Sequence, residues 1–367
     1  PMFVDTANGN YHLLASSHLI NAGHPDSTDS DGTRADIGAY PYLNTYSGPM
    51  WYVSGNGNDT TATGGGTDSF RSIQAAINFA SDGHNVNVAS GNYFENINFR
   101  GRAITVTGSD GSTIDGGGNG TVVTFDSGED STTTLSGFTI QNGLDTAMTW
   151  PAGHGGGIFI SDASPNLTNL TITNNQASFG SGGYFFAYGG VMDSVTFHGN
   201  TGTGLEIQNS TGTMQNSVIS SNTDAGIRIV TNSNWTDPSY MVINNTEIIN
   251  NTTTGEGGGM YIRDDDERAR SNTRDDTLLL RSNLTFSGVV IRDNNASYRG
   301  GGIYNAKDGS GIVFDPGNRS SIYSNSAAMG NDLFSGTQLD VALDTFTVTI
   351  PSNYLAYPTP LYLFDIL

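Results

Sequence analysis

Short apolar stretches separated by glycine or asparagine turns run through most of this chain. From about residue 86 to residue 335, runs such as VNV, INF, ITV and STI have the alternation of a strand with one buried face. A glycine-marked unit, as in GGGIFI and GGGIYN, recurs among them. The glycines before its apolar pair are Gly157, Gly183, Gly204, Gly226, Gly259 and Gly302. Their spacings of 26, 21, 22, 33 and 43 residues predict a solenoid with one coil per repeat, enlarged by insertions.

A second recurring unit lies between the glycine motifs, as in LTNLTITNN, MDSVTFHGN and INNTEIINN. Its alternate apolar residues face one side, and asparagine-rich turns follow it. Each coil therefore has at least two short strands and two corners, and neighbouring coils stack at about 4.8 Å, the spacing of parallel strands. We predict an all-β parallel solenoid of about ten coils with about 22 residues each.

One amphipathic helix is predicted before the coils. The segment TDSFRSIQAAINFA, residues 67–80, has apolar residues at helical spacing. Asp68 or Ser69 is available as its N-cap, and Asp82 with Gly83 ends it.

These segments carry a resemblance. The runs WYVSGNGNDT and SFRSIQAAINFASDGHNVNVASGNYFENINF resemble the opening of right-handed parallel β-helix proteins of the pectate-lyase-like superfold, and the later LTNLTITNN and GGGIYN units resemble their coils. The resemblance covers residues 51–335. It implies a right-handed β-helix whose N-terminal end is plugged by the helix, in a module of secreted bacterial or archaeal multi-module surface proteins. It does not specify an activity, because lyases, hydrolases, tailspikes and adhesins share this fold.

We divide the chain into four parts. Residues 1–48 form a closing or linking segment, 49–83 a cap strand and capping helix, 84–338 the β-helix, and 339–367 a strand-rich linking segment. Both end segments resemble pieces of neighbouring modules. We therefore interpret the chain as an excised or processed segment whose ends engage neighbours.

Charge and cysteine content narrow the possible partners. The 367 residues include 35 acidic and 14 basic side chains, a net charge of -21, and no cysteine. Such a surface repels nucleic acid and suits divalent cations. Disulfides, thiolate catalysis and cysteine zinc sites are excluded. No apolar run is long enough to span a membrane.

An aspartate-rich loop is the candidate metal site. The segment DSTDSDGTRAD places four carboxylates around Gly32, an arrangement that favours Ca²⁺. The candidate ligands are Asp26, Asp29, Asp31 and Asp36. The alternative is a polar turn whose side chains cap the backbone.

Three insertions at the corners of the solenoid suggest glycan binding. Aromatic rings complement the apolar faces of sugars, and arginine can form bidentate hydrogen bonds with a carboxylate. The candidates are Trp150, Trp235, Tyr240, Arg268, Arg270 and Arg274. The alternative is that these loops are salt-bridged and cover each other's apolar surface.

We predict no catalytic residue. Fragments that resemble polygalacturonase motifs (GHG at 153–155, NTD at 222–224 and IRI at 227–229) occur in the wrong order, and the lone lysine, Lys307, sits in a turn. The many asparagines serve either as glycosylation sites or as hydrogen-bonded ladders at solenoid corners.

The leading functional hypothesis is an extracellular structural or adhesive module, supported by calcium and assembling end to end through residues 1–48 and 339–367. The alternative is a carbohydrate-active enzyme, either a polysaccharide lyase or a glycosidase, or a non-catalytic module that binds acidic polysaccharide. Whether it is an enzyme stays open, with the balance toward no.

Overall fold

A computed structural model describes residues 2–232, 239–265, 283–306, 311–336, 339–343, 356–357 and 362–366. In these ranges the chain is built almost wholly of short strands. The helical elements described are a 3₁₀ turn (Thr6–Asn8) and one α-helix, α1 (Ile73–Phe79). No described helix is both long and apolar enough to cross a bilayer.

The strands are numbered in chain order. The first ten are β1 (Phe3–Asp5), β2 (Asn10–Leu13), β3 (Met50–Val53), β4 (Asn85–Val88), β5 (Gly91–Phe94), β6 (Ile97–Asn98), β7 (Thr105–Asp115), β8 (Val123–Phe125), β9 (Thr134–Gln141) and β10 (Leu144–Asp145). The next are β11 (Ile158–Ser161), β12 (Asn166–Thr173), β13 (Gln176–Ala177), β14 (Gly183–Phe186), β15 (Val191–His198), β16 (Leu205–Gln208), β17 (Thr213–Gln215), β18 (Val218–Ser220), β19 (Ile227–Asn232), β20 (Tyr240–Asn244), β21 (Glu247–Ile249) and β22 (Thr252–Thr253). The last are β23 (Met260–Asp265), β24 (Asn283–Ser287), β25 (Val290–Arg292), β26 (Asn295–Ala296), β27 (Ile303–Asn305), β28 (Gly311–Phe314), β29 (Ser321–Tyr323), β30 (Leu333–Ser335), β31 (Leu339–Leu343), β32 (Ala356–Tyr357) and β33 (Tyr362–Ile366).

The coils stack into three parallel faces. Face A is a ten-stranded sheet that runs from β6 to β32 through β11, β16 and β23. A fifteen-stranded sheet forms the other two faces: β15 pairs with β17 through its first half, on face B, and with β18 through its second half, on face C. The halves are separated by one residue in the left-handed conformation, such as Asn169 in β12 (φ 51°). Each full coil therefore has three strands, where the sequence pattern predicted at least two.

A buried asparagine ladder joins the coils at one corner. Its rungs are Asn175, Asn200, Asn222, Asn251, Asn294 and Asn325, and Asp332 ends it. Each asparagine donates from Nδ2 to Oδ1 of the next rung at 2.9–3.1 Å, and its own backbone N–H bonds to the same atom. The ladder satisfies polar groups that the corner would otherwise bury unpaired.

The ladder explains the glycine motif. A Cβ atom on Gly226 would lie 2.7 Å from Nδ2 of Asn251 and 2.8 Å from the carbonyl oxygen of Gly259, the next motif glycine. The other motif glycines meet their own rungs in the same way. In the second coil this position is taken by Gly182 rather than the predicted Gly183, because Gly183 pairs with Ile158, the residue after Gly157.

The helix caps the N-terminal end of the coils, as predicted, but it begins later. Ser72, whose Oγ accepts from the backbone N–H of Ala75, is its N-cap. The predicted caps have other roles: the Asp68 carboxylate accepts bonds from Thr63, and the Ser69 hydroxyl bonds to Ser54. Phe70 donates its backbone N–H to Tyr52 of β3 and accepts from the N–H of Ser54, and this strand-like pairing keeps it out of the helix.

Residues 2–48 pack over this cap. Leu13, Ala15, Ile20 and Tyr42 are buried in the same core as the helix. Nδ2 of Asn78, in α1, donates to the carbonyl oxygens of residues 15 and 17 at 2.9 Å. The first segment is thus bound to its own β-helix over much of its length.

Candidate functional site

One outward-facing row of side chains on face A contains several aromatic residues, a glutamate and an arginine. Strand register places one residue from each coil in line, flanked by core residues such as Ile227 and Ile229. The row, which we call the outer column, consists of Phe159, Tyr184, Glu206, Arg228, Tyr261, Tyr304 and Phe334. Two aromatic stretches therefore flank one acid–base pair.

The first aromatic stretch is covered by the loop before β11. The Trp150 ring lies over Phe159, Tyr184 and Phe186, with centroids 5.6–5.9 Å apart in edge-to-face geometry. Trp150 nevertheless remains 54% exposed. It therefore offers a partly accessible aromatic surface beside the column.

A groove of about 640 Å³ opens beside the next stretch. Arg228 lines this groove, with its guanidinium carbon 4.7 Å from the centroid of the Tyr261 ring, a cation–π geometry. Corner residues of neighbouring coils, including Asp224, Glu256 and Tyr298, complete its lining. The groove thus combines a cation, aromatic surface and carboxylates.

The carboxylates of the groove are held by specific partners. Asp224 accepts hydrogen bonds from the hydroxyls of Thr203 and Thr253. Glu256 forms an ion pair with Arg299 at 3.3 Å. Burial, reinforced by the neighbouring Glu256, raises the pKa of Tyr304 to about 12, so this phenol is neutral at physiological pH.

Glu206 is the buried member of the acid–base pair. Its side chain is 3% exposed, and its Oε1 accepts from Nε2 of Gln208 at 3.2 Å. Within the described part of the chain, Oε2 of Glu206 and Nε of Arg228 are buried without a hydrogen-bond partner. Burial raises the pKa of Glu206, although the positive charge of Arg228 opposes this.

The predicted glycan-binding residues are not gathered in one place. Trp150 lies on face A, whereas Tyr240 begins β20 on face B and is 47% exposed. The strands that lead into the predicted insertions at 230–240 and 263–276, β19 and β23, are neighbours. Trp235, Arg268, Arg270 and Arg274, like Lys307, lie outside the described residues.

Sequence reasoning missed the groove, although a signal for it exists. From Phe159 to Tyr304, the column residue stands two positions after the glycine that contacts the ladder, as in Gly226 and Arg228 or Gly259 and Tyr261. The sequence pattern treats these positions as part of an apolar pair. Because side chains alternate along a strand, the second residue of each pair faces outward. The charged residues at this position, Glu206 in GLEI and Arg228 in GIRI, are the sequence signal for the groove.

The carboxylates of the aspartate loop accept hydrogen bonds from backbone N–H groups of the loop and of the residues on either side of it. Asp31 accepts from the backbone N–H groups of Thr33 and Asn44, and Asp36 from those of Asn21 and Tyr42.

Asp29 accepts from the N–H of Asp36, and Asp26 is exposed. Burial raises the pKa of Asp36, and nearby Asp29 and Asp31 add to the effect. The described residues hold no group of three or more histidine, aspartate or glutamate side chains arranged for a metal. Calcium binding stays a prediction.

Comparison with known proteins identifies the fold. Residues 111–278, a little under half of the chain, match the family model described as "Right handed beta helix region". Together with the stacked parallel strands, this match confirms the predicted right-handed parallel β-helix. No curated protein sequence matches the chain at a significant level.

Several solved structures share this architecture at low similarity. A pectin methylesterase is 12% identical, over 85% of this chain and 93% of that one, with a TM-score of 0.44. The pectin methylesterase of Erwinia chrysanthemi is 11% identical with the same coverage and a TM-score of 0.41. A pectate lyase is 16% identical over 77% of both chains, with a TM-score of 0.32. Such values carry no functional conclusion for this chain.

Proposed function

We propose that this chain binds an acidic polysaccharide in the groove beside the outer column of face A. The supporting observation is Arg228, which is stacked on Tyr261 in the lining of an open groove. A guanidinium fixed in this way can bond to a sugar carboxylate, and the neighbouring rings can contact the apolar side of a sugar.

The arrangement of the groove supports a saccharide better than a compact apolar ligand. Its lining includes threonine hydroxyls and carboxylates, such as Thr254 and Asp224, which suit the many hydroxyls of a sugar chain. The groove is open along the surface rather than enclosed. Trp150, further along the same face, would supply an additional stacking contact for a long chain.

The test is calorimetric titration with linear uronic-acid oligosaccharides and with neutral oligosaccharides of equal length. We expect the acidic series to bind and Arg228→Gln to weaken binding about tenfold or more, as for the loss of one partner of a charged contact. Arg292→Gln is the matched control, because Arg292 lies on face C and its loss changes the net charge equally. Equal binding by both variants would contradict the proposal.

Turnover is measured in the same samples. Unsaturated products would indicate a lyase, and new reducing ends a glycosidase. We propose a binding module, for which neither product appears with the wild-type protein.

Assembly into an extracellular array is the second candidate function. Its support is a set of large apolar side chains on the first segment that are about half exposed: Met2, Tyr11, Ile37, Tyr40 and Leu43. Such side chains on one segment are typical of an interface. Residues 339–367 of a second copy are the proposed partner.

Sedimentation velocity, with and without Ca²⁺, tests this second proposal. We expect concentration-dependent association that Tyr40→Ser with Leu43→Ser abolishes and that Asp31→Asn reduces if calcium supports the loop. A monomer at every concentration, with and without Ca²⁺, would refute it.

A further inference from the structure

Arg228 is the strand neighbour of the buried Glu206 and also lines the open groove, where an anionic ligand could reach it. We propose that Glu206 is an internal competitor for Arg228, so that protonation of Glu206 releases the guanidinium and strengthens the binding of an anionic sugar. This inference rests on the proposed function, because it concerns how the same groove is regulated.

The register brings the two groups together. Glu206 and Arg228 are paired residues of β16 and β19, so their backbones lie about 4.8 Å apart. Both point outward between core residues, and each has one buried polar atom without a hydrogen-bond partner among the described residues. An unpaired buried acceptor beside an unpaired buried donor favours a shift of the arginine toward the glutamate.

The surroundings raise the pKa of Glu206. Burial raises its pKa most strongly, and the negative charge of Asp224 at the corner adds to this. Arg228, Gln208 and the backbone N–H of Gly180 oppose the rise. On the preceding rung, Tyr184 is uncharged at these pH values, because burial raises its pKa far above neutrality.

The direction of the pH effect follows. Above the raised pKa, ionised Glu206 attracts Arg228 and partly neutralises it. Below that pKa the glutamate is neutral, whereas the carboxylate of a uronic acid, an ordinary carboxylic acid, remains ionised well below neutral pH. Acidification therefore frees the guanidinium while the ligand keeps its charge.

The binding experiment uses trigalacturonate at several pH values between 4.5 and 8. We expect wild-type affinity to rise about three- to tenfold as the pH falls, the size of a partly screened charge contact. Glu206→Gln is expected to bind with the high affinity at every pH. Glu247→Gln, an exposed glutamate on face C, should retain the wild-type profile. A wild-type pH profile in Glu206→Gln would overturn the inference.

A ligand-free measurement separates this inference from the proposed function. In protein labelled with ¹⁵N-arginine, the Nε–H signal of Arg228, assigned by its loss in Arg228→Lys, should titrate with pH. The titration should vanish in Glu206→Gln. If trigalacturonate does not bind but the signal titrates in this way, the proposed function fails and the coupling stands. A signal that does not move, or that moves equally in Glu206→Gln, refutes the coupling.

Discussion

At the residue scale, the recurring glycine is explained by a steric conflict. The position must approach both the asparagine ladder and the carbonyl of the next coil, and only a residue without Cβ fits there. The sequence revealed the repeat but not this cause, since the asparagine that contacts each glycine comes from another part of the repeat. Asn251, for example, precedes its own coil's glycine, Gly259, and packs against Gly226.

Gly226→Ala should therefore lower the free energy of unfolding by about 1 to 3 kcal/mol, the usual effect of overpacking a close-packed site. Gly55→Ala is the control, because a Cβ atom there meets nothing within 4 Å. Chemical denaturation of both variants measures the difference. Equal stability of the two would contradict the steric explanation.

Glu95 gives the residue-scale prediction for pH. Its carboxylate accepts from the N–H groups of Ile73 and Gln74, yet burial raises its pKa from 4.5 to about 7. A raised pKa means that the native state holds the proton more tightly than the unfolded chain does. The stabilisation is then complete below pH 4.5 and is lost as the pH rises to about 7.

We expect the free energy of unfolding of the wild type to lose about 1 to 3 kcal/mol over this range from Glu95. The loss should disappear in Glu95→Gln and persist in Glu247→Gln. Denaturant titrations at successive pH values measure it. The same slope in both variants would show that Glu95 is not responsible.

At the element scale, strands were easier to predict than the helix start or the site. Alternation and turn residues mark strands locally, and the coils are correspondingly well predicted. The start of α1 depends on the backbone bonds of Phe70 to Tyr52 and Ser54, which no local pattern contains. The outer column likewise depends on the register between coils, so Arg228 and Tyr261 become neighbours only when β19 and β23 pair.

The asparagine ladder is the element whose stability is most sensitive to a single substitution. Asn222→Ala removes the bonds from Asn200 to its Oδ1 and the bonds from its Nδ2 to Phe197 and Asn251. Buried donors and acceptors are then left unpaired, so we expect a loss of about 2 to 5 kcal/mol. Asn119→Ala, at an exposed turn, is the matched control. A loss below about 1 kcal/mol, as at surface sites, would contradict a structural role for the ladder.

At the scale of the whole molecule, residues 2–48 act as part of the cap. Deleting them exposes α1 and removes Leu13, Ile20 and Tyr42 from the core. We expect a lower melting temperature and new protease cleavage around residues 73–79. An unchanged melting temperature and cleavage pattern would instead indicate a detachable linker.

The central claim, that a saccharide binds beside the outer column, is tested most directly by hydrogen–deuterium exchange with trigalacturonate at pH 5. We predict slower exchange in peptides covering residues 223–228 and 253–261, and unchanged exchange on face C, for example at residues 247–249. Slower exchange confined to face C, or no change anywhere at saturating oligosaccharide, would contradict the claim.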